Sequence, residues 1–347
     1  MADVKRPWAP LAPPEHGGEA PAGTLDFSTG LSPLPLPPEL EAAIRAADVR
    51  AYPQPTALPL RTKLGVILGY RAEELVIGNG STELIWALAR CYGGPRRTVA
   101  ILAPAFGEYA QAAHASGATV YEITAEGPAF TWSESAVLRD LLAVHPALVF
   151  LARPSTPCLV TLPLGVLLGW AERLPQTLFV VDEAYLPLFD GVEPPPLRPN
   201  LVRLCSMTKV LALAGLRLGY LLASPTVAAR VQGALPPWNV SAMAIAGGCA
   251  ALDHARLPEI CAAITELRED LCDVLRRACA TVEASGGPFV LCRVPDARRA
   301  KALLRERGIW VRDCTSFGLP QHLRLGVRPR AEQRQLGAAW QACGGFK

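Results

Sequence analysis

An excess of charge of either sign is missing from this sequence. Lysine and arginine number 34 against 31 aspartates and glutamates, a formal net charge of +3. No basic run is interleaved with aromatics, so a nucleic-acid partner is not expected. Long apolar runs are missing too. The longest uncharged apolar stretch near the middle, 159–170, is short and broken by proline, which argues against a membrane-spanning helix. Residues 1–30 carry charge early and then prolines and glycines, without the apolar core of a signal peptide. The ten cysteines include no Cys-x-x-Cys pair, so no metal site is expected. Several stand in apolar runs and read as buried thiols of a reducing cytoplasm. Neither an internal repeat nor a low-complexity tract occurs beyond a proline-rich N-terminal arm.

What is present is a large core. The chain has 347 residues, 50% of them hydrophobic, enough for one large domain or two coupled ones. Residues up to about 38 read as an irregular arm. Helices are expected over 38–47, with proline at the start, and over 58–68. The chain then alternates. Short apolar runs at 75–77, 99–102, 120–123, 148–151, 178–181, 202–205 and 218–222 are separated mostly by amphipathic segments at 82–91, 108–116, 133–144 and 164–174. This pattern predicts a mostly parallel seven-stranded sheet covered on both faces, an α/β fold. The last two runs stand too close for a helical crossover, which suits an antiparallel pair. From about 224 the pattern changes to helices at 226–234, 242–252 and 258–280. Strands at 289–293, 309–312 and 323–326, with helices at 297–307 and from about 331, then predict a smaller α+β domain. The expected division is an arm with part of the small domain over 1–45, a large domain over 46–230 and a small C-terminal domain over 231–347.

Several motifs carry chemistry. Ser206-Met207-Thr208-Lys209 sets hydroxyls beside a lysine just past an apolar run, and Arg217 follows in Gly215-Leu216-Arg217-Leu218-Gly219-Tyr220. An amine for an imine and donors for a phosphate are what a phosphorylated aldehyde needs. Asp182 and Tyr185 lie at the end of a strongly apolar run, where open α/β sheets bind ligands. Gly80, Ser81 and Thr82 open a helix after a strand, which fits either an anion site or an ordinary cap. Phe106 follows the next strand, placed for stacking on a flat ring or for the core. Arg324, and more weakly Arg312, suit a carboxylate or a solvated strand face. By itself His16 reads as a loop residue.

In this order the motifs resemble fold-type-I pyridoxal-phosphate enzymes, the aspartate aminotransferase superfamily, over nearly the whole chain. Glu15-His16-Gly17-Gly18, Asp26-Phe27-Ser28, Phe106-Gly107-Glu108-Tyr109, Pro237-Trp238-Asn239-Val240-Ser241 and Arg324-Leu325-Gly326-Val327-Arg328 look more narrowly like the threonine-phosphate decarboxylases of cobalamin biosynthesis, with the histidinol-phosphate aminotransferases as sister group. The resemblance implies pyridoxal 5′-phosphate as cofactor and a homodimer with shared active sites. Lys209 would be the Schiff-base and proton-transfer lysine. Asp182 would hold the ring nitrogen and Tyr185 the ring oxygen. Gly80, Ser81, Thr82, Ser206, Thr208 and Arg217 would bind the phosphate, and Phe106 would stack on the ring. Tyr52 would reach the neighbouring subunit's cofactor. Arg324 would take the substrate carboxylate, and His16, Gly17 and Arg312 the substrate phosphate. Two positions depart from the family pattern. Thr156 replaces the asparagine that contacts the ring oxygen, and Gly30 stands in place of another asparagine near the substrate. The first expectation is decarboxylation of O-phospho-L-threonine to aminopropanol phosphate. The alternatives are an aminotransferase of the histidinol-phosphate type or for another polar amino acid, and a cofactor-binding protein with altered or lost catalysis.

Overall fold

A computed structural model describes residues 15–254 and 256–346. The part of the proline-rich arm before Glu15 lies outside them. Seven strands form the large sheet in the spatial order Leu75–Asn79, Leu218–Leu222, Leu201–Ser206, Leu178–Asp182, Leu148–Ala152, Thr98–Ala103 and Thr119–Thr124. All neighbours are parallel except Leu218–Leu222, which runs antiparallel to both of its partners. This is the short return expected from the spacing of the last two runs.

Successive side chains of a strand face opposite sides, and each side here has its own core. Leu178 and Val180 join Phe150, Leu204 and the helix residues Ile85 and Leu88 on one face. Phe179 and Val181 join Leu151, Leu141 and Trp170 on the other. Burial on both faces explains why these strands read as continuous apolar runs. The helix Ala242–His254 packs its small residues on the same unit. A Cβ at Gly248 would lie 2.9 Å from the Leu60 side chain, so the two helices approach closely.

The smaller C-terminal domain is an antiparallel four-stranded sheet in the order Arg312–Asp313, His322–Gly326, Phe289–Arg293 and Thr281–Gly286. Val290, Leu323 and Leu325 pack there against Leu275, Leu336 and Trp340 of the covering helices. Three details differ from expectation. Thr281–Gly286 is an edge strand, although its polar alternation resembles the tail of the preceding helix. The expected strand at 309–312 is two pieces, Ile309–Trp310 and Arg312–Asp313, which join different sheets. The arm also contributes a strand. Leu25–Asp26 pairs in parallel with Ile309–Trp310, and two residues are too few to leave a periodic signal. Phe27 anchors the arm in the small-domain core. Among the described residues, no helix is long and apolar enough to cross a membrane, and no group of histidine, cysteine or acidic side chains is placed to hold a metal. All ten cysteines are free thiols.

Candidate active site

A cavity of about 400 Å³ opens where the C-terminal ends of the parallel strands meet the small domain and the arm. Open α/β sheets gather ligands at such ends because the loops there are free to carry function.

One part of the wall is built for an anion. Gly80, Ser81 and Thr82 start the helix Gly80–Tyr92, whose first N–H groups lack intrahelical partners. Gly80 has φ of +77°, and a Cβ there would come within 2.6 Å of Arg217 Nη2. Glycine therefore gives the turn its conformation and lets the guanidinium lie across the helix start. Ser206 and Thr208 join the same wall, their hydroxyls 3.0 Å apart.

Asp182 ends its strand inside the cavity at 6% exposure. Its Oδ2 accepts from the Tyr109 hydroxyl at 2.7 Å and its Oδ1 from the Ala184 N–H at 2.9 Å. Burial pushes the carboxyl above its ordinary range, and the bonds from Tyr109 and Ala184 and the charge of Lys209 oppose that rise. The next residue, Glu183, is buried with its carboxylate on Arg203 Nε at 2.9 Å, which ties this strand end to the neighbouring strand. Lys209 Nζ lies 5.7 Å from the centre of the Tyr185 ring. The Lys209 carbonyl accepts from the Ser32 N–H at 3.0 Å, so the lysine loop is joined to the arm.

The small domain and the arm supply further cations. Arg324 is 7% exposed and lies 4.1 Å above the Phe289 ring. Its Nη1 donates to Thr156 Oγ1 at 2.6 Å and its Nη2 to the Ser28 carbonyl at 3.1 Å. Its Nε is buried without a partner. Arg312 donates through Nη2 to the Glu15 carbonyl at 2.7 Å and the Ser316 hydroxyl at 2.6 Å. His16 lies beside Phe106, ring centres 5.3 Å apart, and Gly17 lines the wall next to it.

The cavity thus unites His16, Gly17, Gly80, Ser81, Thr82, Phe106, Thr156, Asp182, Tyr185, Ser206, Thr208, Lys209, Arg217, Arg312 and Arg324. Two expected residues fall outside it. Tyr52 is 82% exposed and stacks on Trp238, ring centres 4.8 Å apart. Gly30 does not line the wall. A Cβ on Gly30 would run into the Phe289 ring. Its role is to leave room for the ring that supports Arg324 on one face and meets Tyr185 edge-on at 5.0 Å. Gly30→Ala is therefore expected to cost about 1–3 kcal/mol of stability by overpacking. Thermal melting would read this loss. Thr156 is engaged by Arg324, so its hydroxyl serves the arginine. Glu108 and Tyr109 were missed as site residues. Tyr109 stands three positions after Phe106, in the turn where its N–H bonds the Phe106 carbonyl at 3.1 Å.

The model of the family described as aminotransferase class I and II matches residues 23–342. A histidinol-phosphate aminotransferase from Anaeromyxobacter sp. is 38% identical over 338 residues, 94% of this chain and 91% of that protein. The adenosylcobalamin biosynthesis bifunctional protein CobDQ from Leptospira interrogans is 29% identical over 93% of this chain and 40% of its own length. Among solved structures, histidinol-phosphate aminotransferase from Sinorhizobium meliloti in complex with pyridoxal 5′-phosphate superposes with a TM-score of 0.84 at 24% identity, covering 91% of this chain and 89% of that one. The chain has the fold-type-I architecture and belongs to the aminotransferase class I and II family.

Proposed function

We propose that the protein is a pyridoxal-phosphate-dependent enzyme that transfers the amino group of a phosphorylated amine, an aminotransferase of the histidinol-phosphate type. One observation carries this reading. A single cavity holds Lys209 and Asp182 together with two sets of anion donors, one around Arg217 and Ser81 and one formed by Arg312, Arg324 and His16. One set suits the cofactor phosphate and the other the anionic groups of a substrate.

The residues fit the cofactor. Gly80 leaves space for Arg217 over a helix start, and Asp182 is a buried acceptor matched to a protonated ring nitrogen. When bound, the cofactor supplies an electron sink for the bond broken at the substrate Cα. Lys209 is the amine that would move the Cα proton. Arg324 would orient the carboxylate of the 2-oxo acid acceptor, and Phe106 would cover the ring.

The curated relatives support amino transfer ahead of the decarboxylation first expected from the sequence. Decarboxylation of O-phospho-L-threonine stays as the second reading because Glu15, His16 and Gly17 of that resemblance lie in the cavity wall and the chain matches a cobalamin-biosynthesis protein. Purified protein given histidinol phosphate and 2-oxoglutarate should form glutamate. No glutamate there, with CO₂ from O-phospho-L-threonine, would replace the first reading by the second. Inertness toward both, with cofactor still reducible onto Lys209, would leave a cofactor-binding protein.

A homodimer is part of the proposal. Val49, Tyr52, Leu58, Val66, Ile67, Trp238 and Met243 are large exposed apolar side chains, and the elements bearing them adjoin through the Tyr52–Trp238 stack. Apolar surface of this kind marks an interface. Light scattering should give twice the monomer mass, and Ile67→Asp should shift it toward monomer. Tyr52→Phe, which removes one hydroxyl donor, should weaken cofactor retention roughly tenfold while the dimer persists.

A further inference from the structure

We propose that Glu108 is a positioning residue for the anionic end of the substrate, acting through His16. The proposal rests on the reading of the cavity as a site for a phosphorylated amine.

Glu108 is the first residue of the helix Glu108–Ala115 and is 8% exposed. Its Oε2 accepts from Trp86 Nε1 at 2.6 Å, and its Oε1 is 2.8 Å from His16 Nε2. A buried carboxylate is costly unless its oxygens are bonded, and here both are. Indole Nε1 can only donate. With the carboxylate accepting on its other oxygen as well, the proton of the second bond sits on His16 Nε2. Nδ1 is then the ring nitrogen left for an anion, to which it donates once it carries a proton of its own. Glu108 thereby fixes both the position and the tautomer of His16.

The same carboxylate joins three pieces of chain. Trp86 belongs to Gly80–Tyr92, the helix whose start forms the anion wall. Phe106, beside Glu108, lies against the His16 ring. The segment bearing His16 is held from the other side by the arm and the small domain. Lys301 Nζ donates to Glu15 Oε1 at 2.5 Å, Arg312 to the Glu15 carbonyl at 2.7 Å, and the Gly18 N–H to Ser28 Oγ at 2.8 Å. Gly17 is close-fitted, since a Cβ there would lie 2.5 Å from the Ser28 carbonyl oxygen. Among the described residues, the hydrogen bond of Glu15–Gly18 to the large domain is the one from His16 to Glu108. Without Glu108 the segment keeps its small-domain ties but loses the bond that turns the imidazole toward a defined place in the wall.

The test is a cycle of Glu108→Gln, His16→Ala and the double variant. Glutamine keeps the volume of Glu108 but offers one acceptor to two donors. Calorimetry on the cofactor-loaded proteins would compare histidinol phosphate with phosphate-free histidinol. Glu108→Gln is expected to weaken histidinol phosphate about tenfold, the loss of one charge-assisted bond. It should leave histidinol and the visible absorbance of the cofactor unchanged, and have no further effect in the His16→Ala background. Equal weakening of both ligands, or a full effect of Glu108→Gln without His16, would overturn the proposal. A second readout needs no ligand. Imidazole nitrogen–proton correlation spectra at alkaline pH should show His16 held as the Nε2–H form in the wild type and exchanging between tautomers in Glu108→Gln and Glu108→Ala. Identical His16 signals in all three proteins would sink the idea. If the wild type binds neither ligand, the functional reading fails, and the spectra still decide the role of Glu108.

Discussion

Lys209→Ala is expected to bleach the protein and to abolish turnover. The lysine lies in the cavity wall after the buried strand Leu201–Ser206, beside Thr208 and the ring of Tyr185. Among the described residues, no second lysine lines that wall. Its amine has two functions in the proposed chemistry, tethering the aldehyde cofactor and moving the proton at Cα. Loss of proton transfer alone removes a factor of about 10²–10⁴, and loss of the tether removes the visible absorbance as well. The phosphate wall is untouched by the change, since Ser206, Thr208, Arg217 and the Gly80 turn keep their places. The variant should therefore still bind cofactor reversibly, and dialysis should strip it where the wild type resists. Spectra before and after borohydride reduction check the first point, and turnover with each candidate substrate the second. A variant that keeps the reducible absorbance of the wild type would show that another amine, or none, holds the cofactor.

Lys209 was legible because its neighbours in sequence are its neighbours in space. The same holds for Asp182 at the end of Leu178–Asp182 and for the Gly80–Thr82 turn after Leu75–Asn79. Each lies where a buried apolar run meets a polar turn, and both signals are local. The large sheet was legible for the same reason, since strands buried on both faces announce themselves as apolar runs. What stayed hidden is carried by long-range pairs. Tyr109 donates to Asp182, 73 positions away, and Arg324 donates to Thr156, 168 positions away. No spacing rule connects such residues. Gly30 is a further long-range case. Its family motif implies a place near the substrate, and the contact with Phe289 that its missing side chain allows has no local signal. In the small domain, Thr281–Gly286 was lost because a polar edge strand lacks the apolar run that marks a buried one.

Asp182→Asn is expected to lower activity by about 10²–10⁴, the scale of losing a preorganised electrostatic partner, while making the cofactor-free protein more resistant to heat at neutral pH. Both effects have one cause. Burial raises the folded-state pKa of Asp182 above that of the unfolded chain. A carboxyl shifted in this direction binds its proton more tightly when folded. Its contribution to stability thus falls as pH rises from the unfolded value of about 3.9. Above the folded value the full penalty persists, so at neutral pH the cofactor-free protein carries a desolvated charge that only Tyr109, Ala184 and Lys209 relieve. Asparagine removes that charge. Its oxygen still accepts from Ala184, and the Tyr109 hydroxyl, which sits 2.7 Å from the second oxygen of Asp182, can turn to accept from the amide. In the proposed site the cofactor would use this penalty, because a buried carboxylate lacking a full counter-charge binds a protonated ring nitrogen tightly. Melting of cofactor-free wild type and variant between pH 4 and pH 8 should diverge as pH rises, with the variant ahead. Cofactor addition should then raise the wild type more than the variant. Parallel melting curves across that range would mean that the Asp182 carboxyl binds its proton equally well folded and unfolded and so carries no burial penalty, and the account of its pull on a ring nitrogen would go with it.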